Sequence, residues 1–118
     1  DFAILTSEIS KATFGLTLRE YKQHKGLQRE NLRDHMDDLE LVLTMLGEAT
    51  TTRFTQDRDS QQFPFLHQDA KDGGDVASST RNDIEKRLGK SVVSKENFLE
   101  VPEKVKRLGM KKTREIEK

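Results

Sequence analysis

The sequence predicts a small all-α domain built around one long central helix, with short helices beside it and a polar, basic C-terminal end. Apolar residues in the middle of the chain recur at helical spacing, capping residues and glycines mark helix ends, and strand-like alternation is nearly absent. Only 32% of the 118 residues are apolar and 36% are charged, a composition with less apolar and more charged material than an average globular domain. We therefore expect either thinly packed helices with polar tails or apolar surface that is buried against a second copy.

The first two helices are predicted from their ends. The segment 2–14 has loosely helical apolar spacing and is followed by Gly15, which can adopt the left-handed conformation of a helix exit. Thr17 and Glu20 form a capping-box pattern, in which each side chain binds the backbone N–H of the other residue. A second helix therefore begins directly after Thr17, and Gly26 ends it.

The long helix is predicted from about Arg29 to about Phe54. Its apolar residues recur at intervals of four and three, which places them along one side of a helix. This seam consists of Leu32, Met36, Leu39, Leu43 and Leu46. From Leu41 onward the apolar arc widens to include Val42, Met45 and Ala49, so we expect the second half of the helix to be covered on more sides. The seam is long enough to bind a partner helix or a second copy of the chain.

The remaining segments are predicted from breaks in the chain. A helix boundary is expected near 58–64, where the sequence is polar and reaches a proline. The Gly73–Gly74 pair is expected to break the chain again, with Asp75 capping a helix over about 76–88 that ends at Gly89.

Beyond that helix, we predict a short extended piece at 91–93, a helical stretch at 95–100 and a last helix from Pro102. The chain begins with the character of a helix interior, so we expect residues 1–100 to be the helical C-terminal domain of a longer protein. Residues 101–118 then form a basic tail, helical or disordered.

Several classes of site are excluded by residue types. The chain has no cysteine, which removes disulfides, thiolate zinc sites and cysteine nucleophiles. No apolar run approaches the roughly 18 residues of a membrane span, and no signal peptide opens the chain. No spacing places a nucleophile beside a base and an orienting group. We therefore expect a non-enzymatic cytoplasmic protein without a cofactor, a catalytic residue or a membrane partner.

His35 raises the question of a metal site, because it lies among Asp34, Asp37 and Asp38. On an α-helix, His35 flanks the apolar seam with Asp38 one turn further on, while Asp37 points elsewhere. A metal site needs three or four converging ligands, and here only two converge. We predict that His35 lies at the edge of the core and donates its N–H to Asp38, and that no metal binds there.

The basic end supports a nucleic-acid interpretation. The last sixteen residues hold seven bases and three acids, and a segment of this density can bind phosphates. The candidate contacts are Lys104, Lys106, Arg107, Lys111, Lys112 and Arg114. Phe54, Phe63 and Phe65 either stack on bases, as in single-strand binders, or belong to the core, and the shortage of apolar residues favours the core.

Three longer strings carry a family resemblance: DFAILTSEISKATFGLTLREYKQHKGL, ENLRDHMDDLELVLTMLGEATTT and DAKDGGDVASSTRNDIEKRLGKSVVSKENFL. Together they resemble the C-terminal region of the DNA-damage-inducible protein D family, over roughly residues 1–100. The most specific parts are KGL, ENLRDHM and LEL, followed by GK, VVS and ENFL. Members of this family are bacterial and prophage proteins whose N-terminal half resembles phage antirepressor (Bro-type) DNA-binding domains.

This resemblance implies a helical partner domain without the DNA-binding half, in a protein of the DNA-damage (SOS) response or of prophage regulation. It implies no catalytic residue and no cofactor, and a bacterial cytoplasmic or nucleoid-associated location. The sequence thus predicts a non-enzymatic regulatory domain that contacts a protein partner of the DNA-damage response through its helices, and leaves self-association open. The alternative is a nucleic-acid-binding module that uses the basic C-terminal segment.

Overall fold

The computed structural model describes residues 2–94, and every regular element within this range is helical. The elements are α1 (Phe2–Phe14), α2 (Leu18–His24), a 3₁₀ turn (Leu32–His35), α3 (Asp38–Arg58) and α4 (Phe63–Leu88). The prediction of an all-α domain around a long central helix is confirmed. Helices α3 and α4 form an antiparallel hairpin, and α1 lies against both of them. The predicted stretch 95–100, the helix from Pro102 and the basic tail lie outside the described residues.

The predicted ends of the first two helices are confirmed. Gly15 follows α1 with a φ of +76°, and Gly26 follows α2 with a φ of +74°. Between them, the Glu20 backbone N–H donates to Thr17 Oγ1 at 3.2 Å, and the Thr17 N–H donates to Glu20 Oε1 at 2.9 Å. These reciprocal hydrogen bonds satisfy two N–H groups that a free helix end leaves unpaired, so α2 begins where the sequence predicts.

The long helix does not begin near Arg29, and this prediction was wrong. Residues Leu32–His35 form a 3₁₀ turn in which the Asn31 side chain accepts from the backbone N–H of Arg33 at 3.0 Å. Met36 is extended, with φ −92° and ψ 148°. The Asn31 side chain therefore caps the start of this turn, and the extended backbone at Met36 separates the turn from the helix that follows.

A second capping box starts α3. Asp37 Oδ1 accepts from the Glu40 N–H at 2.9 Å, and Glu40 Oε1 accepts from the Asp37 N–H at 3.1 Å. The helix then runs to Arg58, four residues beyond the predicted Phe54, and Asp59 closes it in the left-handed conformation. The apolar spacing misled the prediction because Leu32 and Met36 are buried although they precede the helix.

The Gly73–Gly74 pair does not break the chain, and Asp75 is not a helix cap. Helix α4 runs without interruption from Phe63, with Pro64 in its first turn, where the missing N–H costs nothing. Its exit at Gly89, with a φ of +75°, is confirmed. The predicted boundary near 58–64 is also confirmed, since it contains the whole connection between α3 and α4. The predicted extended piece at 91–93 is not a strand, and residues 92 and 93 form bends.

The two glycines lie where α4 crosses its neighbours. A Cβ atom on Gly73 would lie 2.7 Å from the backbone nitrogen of Thr51 in α3, and one on Gly74 would lie 2.9 Å from the carbonyl oxygen of Ile9 in α1. On α3, a Cβ on Gly47 would lie 3.0 Å from the side chains of both Ile9 and Thr13. The absence of side chains at these positions lets three helix backbones approach one another closely.

The core extends from this crossing toward α2 and the 3₁₀ turn. Its buried apolar residues are Ile9, Phe14, Tyr21, Leu27, Leu32, Met36, Leu43, Ala70, Ala77 and Val92. The Phe14 and Tyr21 rings meet edge to face, with centroids 5.0 Å apart, a favoured arrangement for aromatic pairs. The α1–α3–α4 crossing is therefore filled by small residues, and the end near α2 by larger ones.

Replacing Gly74 with alanine tests the crossing. Alanine favours a helix by about 1 kcal/mol over glycine, but here its methyl group would overlap Ala12 and the Ile9 carbonyl, and such overpacking costs about 1–3 kcal/mol or more. We expect Gly74→Ala to lower the free energy of unfolding by about 2 kcal/mol in urea titrations. The exposed Ser79→Ala variant on the same helix is the control and should not be destabilised. Equal stability of Gly74→Ala and the wild type would contradict the close approach of α4 to α1 at this position.

Candidate functional site

The carboxylate of Glu40 lies at the centre of a buried polar cluster. The Tyr21 hydroxyl donates to its Oε2 atom, and Lys25 Nζ lies 3.1 Å from its Oε1 atom. The Lys25 and Glu40 side chains are both 0% exposed. A buried charge is tolerated only when it is paired and hydrogen-bonded, and here each charge has its partner.

The cluster joins segments that are distant in the sequence. Tyr21 belongs to α2, Lys25 follows that helix directly, and Glu40 lies in the first turn of α3. Lys25 Nζ also donates to the carbonyl of Ser94 at 2.9 Å. The ammonium group lies 5.7 Å from the centroid of the Tyr21 ring, within the range of a cation–π interaction. One lysine thus attaches both the start of α3 and the chain near residue 94 to α2.

The electrostatics of this cluster fit a structural role better than a catalytic one. Burial, followed by the hydrogen bond to Glu40, raises the pKa of Tyr21, so the phenol stays protonated and acts as a donor. A general base or nucleophile must reach its substrate, whereas Tyr21, Lys25 and Glu40 are all enclosed. The cluster therefore orients the surrounding backbone.

Neither Lys25 nor Glu40 was predicted from the sequence as a site residue. One local signal was present: Asp37 and Glu40 have capping-box spacing directly before an apolar run. That pattern predicts the true start of α3 and places Glu40 on the buried side of the helix, next to Leu43. No local pattern connects Glu40 to Lys25, because the two are 15 residues apart and meet through tertiary packing.

His35 lies deeper than the sequence predicts. It is 3% exposed at the end of the 3₁₀ turn, whereas the prediction placed it at the edge of the core on a continuous α-helix. Asp38 is exposed on the first turn of α3. In the part of the chain that the structure describes, no group of three or more histidine, aspartate or glutamate side chains could hold a metal ion.

A second polar cluster closes the turn between α3 and α4. Asp69 accepts from Thr55 Oγ1 at 2.9 Å and from Arg58 Nη1 at 2.8 Å, and its side chain is 2% exposed. The same guanidinium atom lies 2.7 Å from Asp72 Oδ2. Burial would raise the pKa of Asp69, but hydrogen bonds from Ser60, Thr55 and Arg58 outweigh it and hold that pKa below its ordinary value.

The predicted seam is divided between the core and the surface. Leu32, Met36 and Leu43 are buried, Leu46 is half-buried and Leu39 is exposed. This division follows from the break before α3. Leu32 and Met36 precede the helix and are buried in the core, and do not continue the line of apolar residues along α3. A partner could reach only Leu39 and Leu46 without opening the core.

Apolar side chains also lie on the outer side of α3. We call Leu39, Val42, Met45 and Ala49 the α3 stripe. Val42 is 58% and Met45 59% exposed, so the expected extra cover of this half of the helix is not supplied by residues 2–94. Intervals of three and four residues keep the stripe on one side of α3. Leu39 lies at its edge, one turn before the buried Leu43, whereas Val42, Met45 and Ala49 lie further from the core.

The candidate nucleic-acid contacts, Lys104, Lys106, Arg107, Lys111, Lys112 and Arg114, lie outside the described residues. Of the three phenylalanines considered with them, Phe63 and Phe65 are exposed and Phe54 is half-buried. The core interpretation is therefore wrong for Phe63 and Phe65, which lie exposed in the first turn of α4. Phe54 packs under the Arg58 guanidinium, 4.4 Å from its ring centroid.

Comparison with known proteins adds no relative to this picture. No protein-family model, no curated protein and no solved structure matches the chain. Within residues 2–94, no helix combines the length and the apolar character needed to cross a bilayer. The family resemblance therefore stays a prediction based on the strings quoted above.

Replacing Glu40 with glutamine tests the buried cluster. The change leaves the Lys25 ammonium buried without its counter-charge, and breaking a buried ion pair on one side costs about 3–5 kcal/mol. We expect a loss of that size in urea titrations, and a double variant with Lys25→Met that loses less than the sum of the single variants. Glu48→Gln removes a partly exposed pair with Arg33 and should cost less than about 1 kcal/mol. Additive single changes would contradict the pairing.

The lowered pKa of Asp69 predicts acid sensitivity. A carboxyl with a depressed folded pKa stabilises the fold above its unfolded pKa, and this contribution is lost as the pH falls through the folded pKa. We therefore expect stability to decline below pH 4, and Asp69→Asn to flatten this decline in chemical denaturation at a series of pH values. Part of the decline remains, because Asp72 and Glu85 have pKa values lowered in the same direction. The exposed Asp57→Asn variant should follow the wild type; an unchanged slope for Asp69→Asn would contradict the assignment.

Proposed function

We propose that this chain is a non-enzymatic interaction domain that binds a protein helix, or a second copy of itself, along the α3 stripe. In this proposal the domain belongs to a bacterial protein of the DNA-damage (SOS) response or of prophage regulation. The observation that carries the proposal is the exposure of Val42 and Met45 in the first half of a long, well-capped helix.

The composition supports this choice of surface. The chain is short of apolar residues, yet it places Leu39, Val42 and Met45 outward on one helix. Single exposed apolar residues are ordinary, but contiguous ones mark interaction surfaces. Charged Asp38 and Arg53 lie exposed near the two ends of the stripe, which gives it the polar rim that interfaces commonly have.

The geometry of α3 supports a helix as the partner. Capping at Asp37 and Asp59 fixes the two ends of the helix, and the Arg58–Asp69 pair holds its C-terminal end against α4. A rigid helix with apolar residues every three or four positions suits helix-in-groove or helix–helix recognition. Little ordering of the domain would then oppose binding.

The regulatory setting rests on the family resemblance. The strings ENLRDHM and LEL cover the 3₁₀ turn and Glu40, so the resemblance includes residues that build the buried cluster. This supports a shared domain fold, and through it a role in the DNA-damage response. The proposal contains no catalytic step and no cofactor.

Charge on the stripe tests the proposal. The double variant Val42→Asp with Met45→Asp should fold, because both side chains are exposed, and should lose association since an aspartate cannot be buried unpaired against an apolar partner. Light scattering over a concentration series measures self-association, and affinity capture from DNA-damaged bacterial cells measures binding to other proteins. The matched control is Ile4→Asp with Val76→Asp, which charges exposed apolar residues outside the stripe.

Two results together would contradict the proposal. One is a wild-type chain that stays monomeric at every concentration. The other is recovery of the same proteins, in the same amounts, by the wild type and the stripe variant. Loss of association in the control variant as well would show that the stripe is not the surface involved.

The second candidate function is nucleic-acid binding, favoured by the concentration of bases in residues 103–118. Binding through phosphate contacts releases counterions, so the affinity should fall steeply as salt rises. Removing residues 103–118 should abolish binding in a fluorescence-anisotropy titration with DNA, while a chain with the α3 stripe charged should still bind. Unchanged binding after the deletion would exclude these residues as the contact.

A further inference from the structure

A cavity of about 310 Å³ opens between α1, α2, the 3₁₀ turn and the middle of α3. Phe14, Leu32 and Met36 give it an apolar floor, and all three belong to the core. This volume lies at the lower end of the range for small-molecule sites, which are mostly apolar with a few polar groups that fix orientation. The cavity shares no residue with the α3 stripe.

Some of the charged side chains at the cavity rim have a bonded partner and others do not. Arg33 pairs with Glu48, and the Glu30 carboxylate accepts from the backbone N–H of Gln28 at 2.8 Å. Lys22 and Arg29 also line the cavity. Within residues 2–94 neither cation has an ion pair or a side-chain hydrogen bond. The pKa of Glu30 is lowered mainly by the hydrogen bond from the Gln28 backbone, and the charge of Lys22 adds to this only slightly. Two cations beside an apolar floor are therefore available to an anion.

We propose that this cavity binds a small amphipathic anion, in chemical class a medium-chain carboxylate. Its apolar body would lie on the floor formed by Phe14, Leu32 and Met36, and its head group would lie between Lys22 and Arg29. The chain's own residues 95–118 are poorly suited to the site, because they hold eight bases and five acids and the unpaired rim charge is also positive. This inference does not rest on the proposed function of the α3 stripe.

The test uses decanoate as the probe and the whole chain as the protein. Isothermal titration should detect saturable binding of decanoate, weaker binding of butyrate, which lacks the apolar body, and weaker binding of uncharged decan-1-ol. The double variant Lys22→Gln with Arg29→Gln should bind decanoate about tenfold more weakly or worse, as expected for lost hydrogen bonds to a charged group. Lys11→Gln with Arg53→Gln removes two exposed cations outside the cavity and should bind like the wild type.

Methyl NMR locates the bound probe. Met36 lines the cavity and Met45 lies on the α3 stripe, so saturation with decanoate should shift the Met36 methyl resonance and leave that of Met45 in place. The proposal is overturned by absence of saturable decanoate binding, by equal affinity in the Lys22/Arg29 double variant, or by a shift confined to Met45. Equal binding of decan-1-ol would overturn the assignment of an anion.

Discussion

The architecture depends on the contact between the backbones of α1, α3 and α4 at Gly47, Gly73 and Gly74. A side chain at position 73 would hold α4 away from α3, and one at position 74 would hold it away from α1. Because both are absent, α4 lies between α3 and α1, and polar pairs on either side of the crossing fix its position. Arg58 binds Asp69 and Asp72 at one end, and Arg81 donates to the Thr13 carbonyl at the other. This close packing turns one side of α3 inward and leaves the opposite side outward.

The polar clusters compensate for a small core. A chain with 32% apolar residues buries Glu40, Lys25 and Asp69 and pairs each of them, although well-packed apolar residues often stabilise a fold as much as a buried ion pair does. Such pairs also restrict the number of possible packing arrangements. A buried, hydrogen-bonded charge has few alternative positions, because most of them would leave it unpaired. The Glu40 cluster therefore selects one arrangement of α2 against the start of α3, and with it the shape of the cavity beside them.

The sequence predicts the helical class, the ends of α1 and α2 and the exit at Gly89, because these depend on local backbone preferences. It fails where tertiary packing decides. Gly73 and Gly74 look like a break since glycine weakens an isolated helix, yet the close approach of α1 and α3 requires them there. The break before α3 was hidden because Leu32 and Met36 are buried in both the predicted and the observed arrangement. The Glu40 cluster could not be predicted from the sequence, because Lys25 and Glu40 meet only in the folded chain.

The position of α1 has a consequence for the order in which the molecule assembles on the ribosome. Its main neighbour is α4, and the hydrogen bond between Arg81 and Thr13 spans 68 residues. The side of α1 that packs on α4 therefore stays uncovered until nearly all of the described chain has emerged. Contacts that span long stretches of sequence slow folding, and uncovered apolar residues attract chaperones during the delay. In the α3–α4 hairpin, by contrast, the two helices are consecutive and can pair as soon as both are translated.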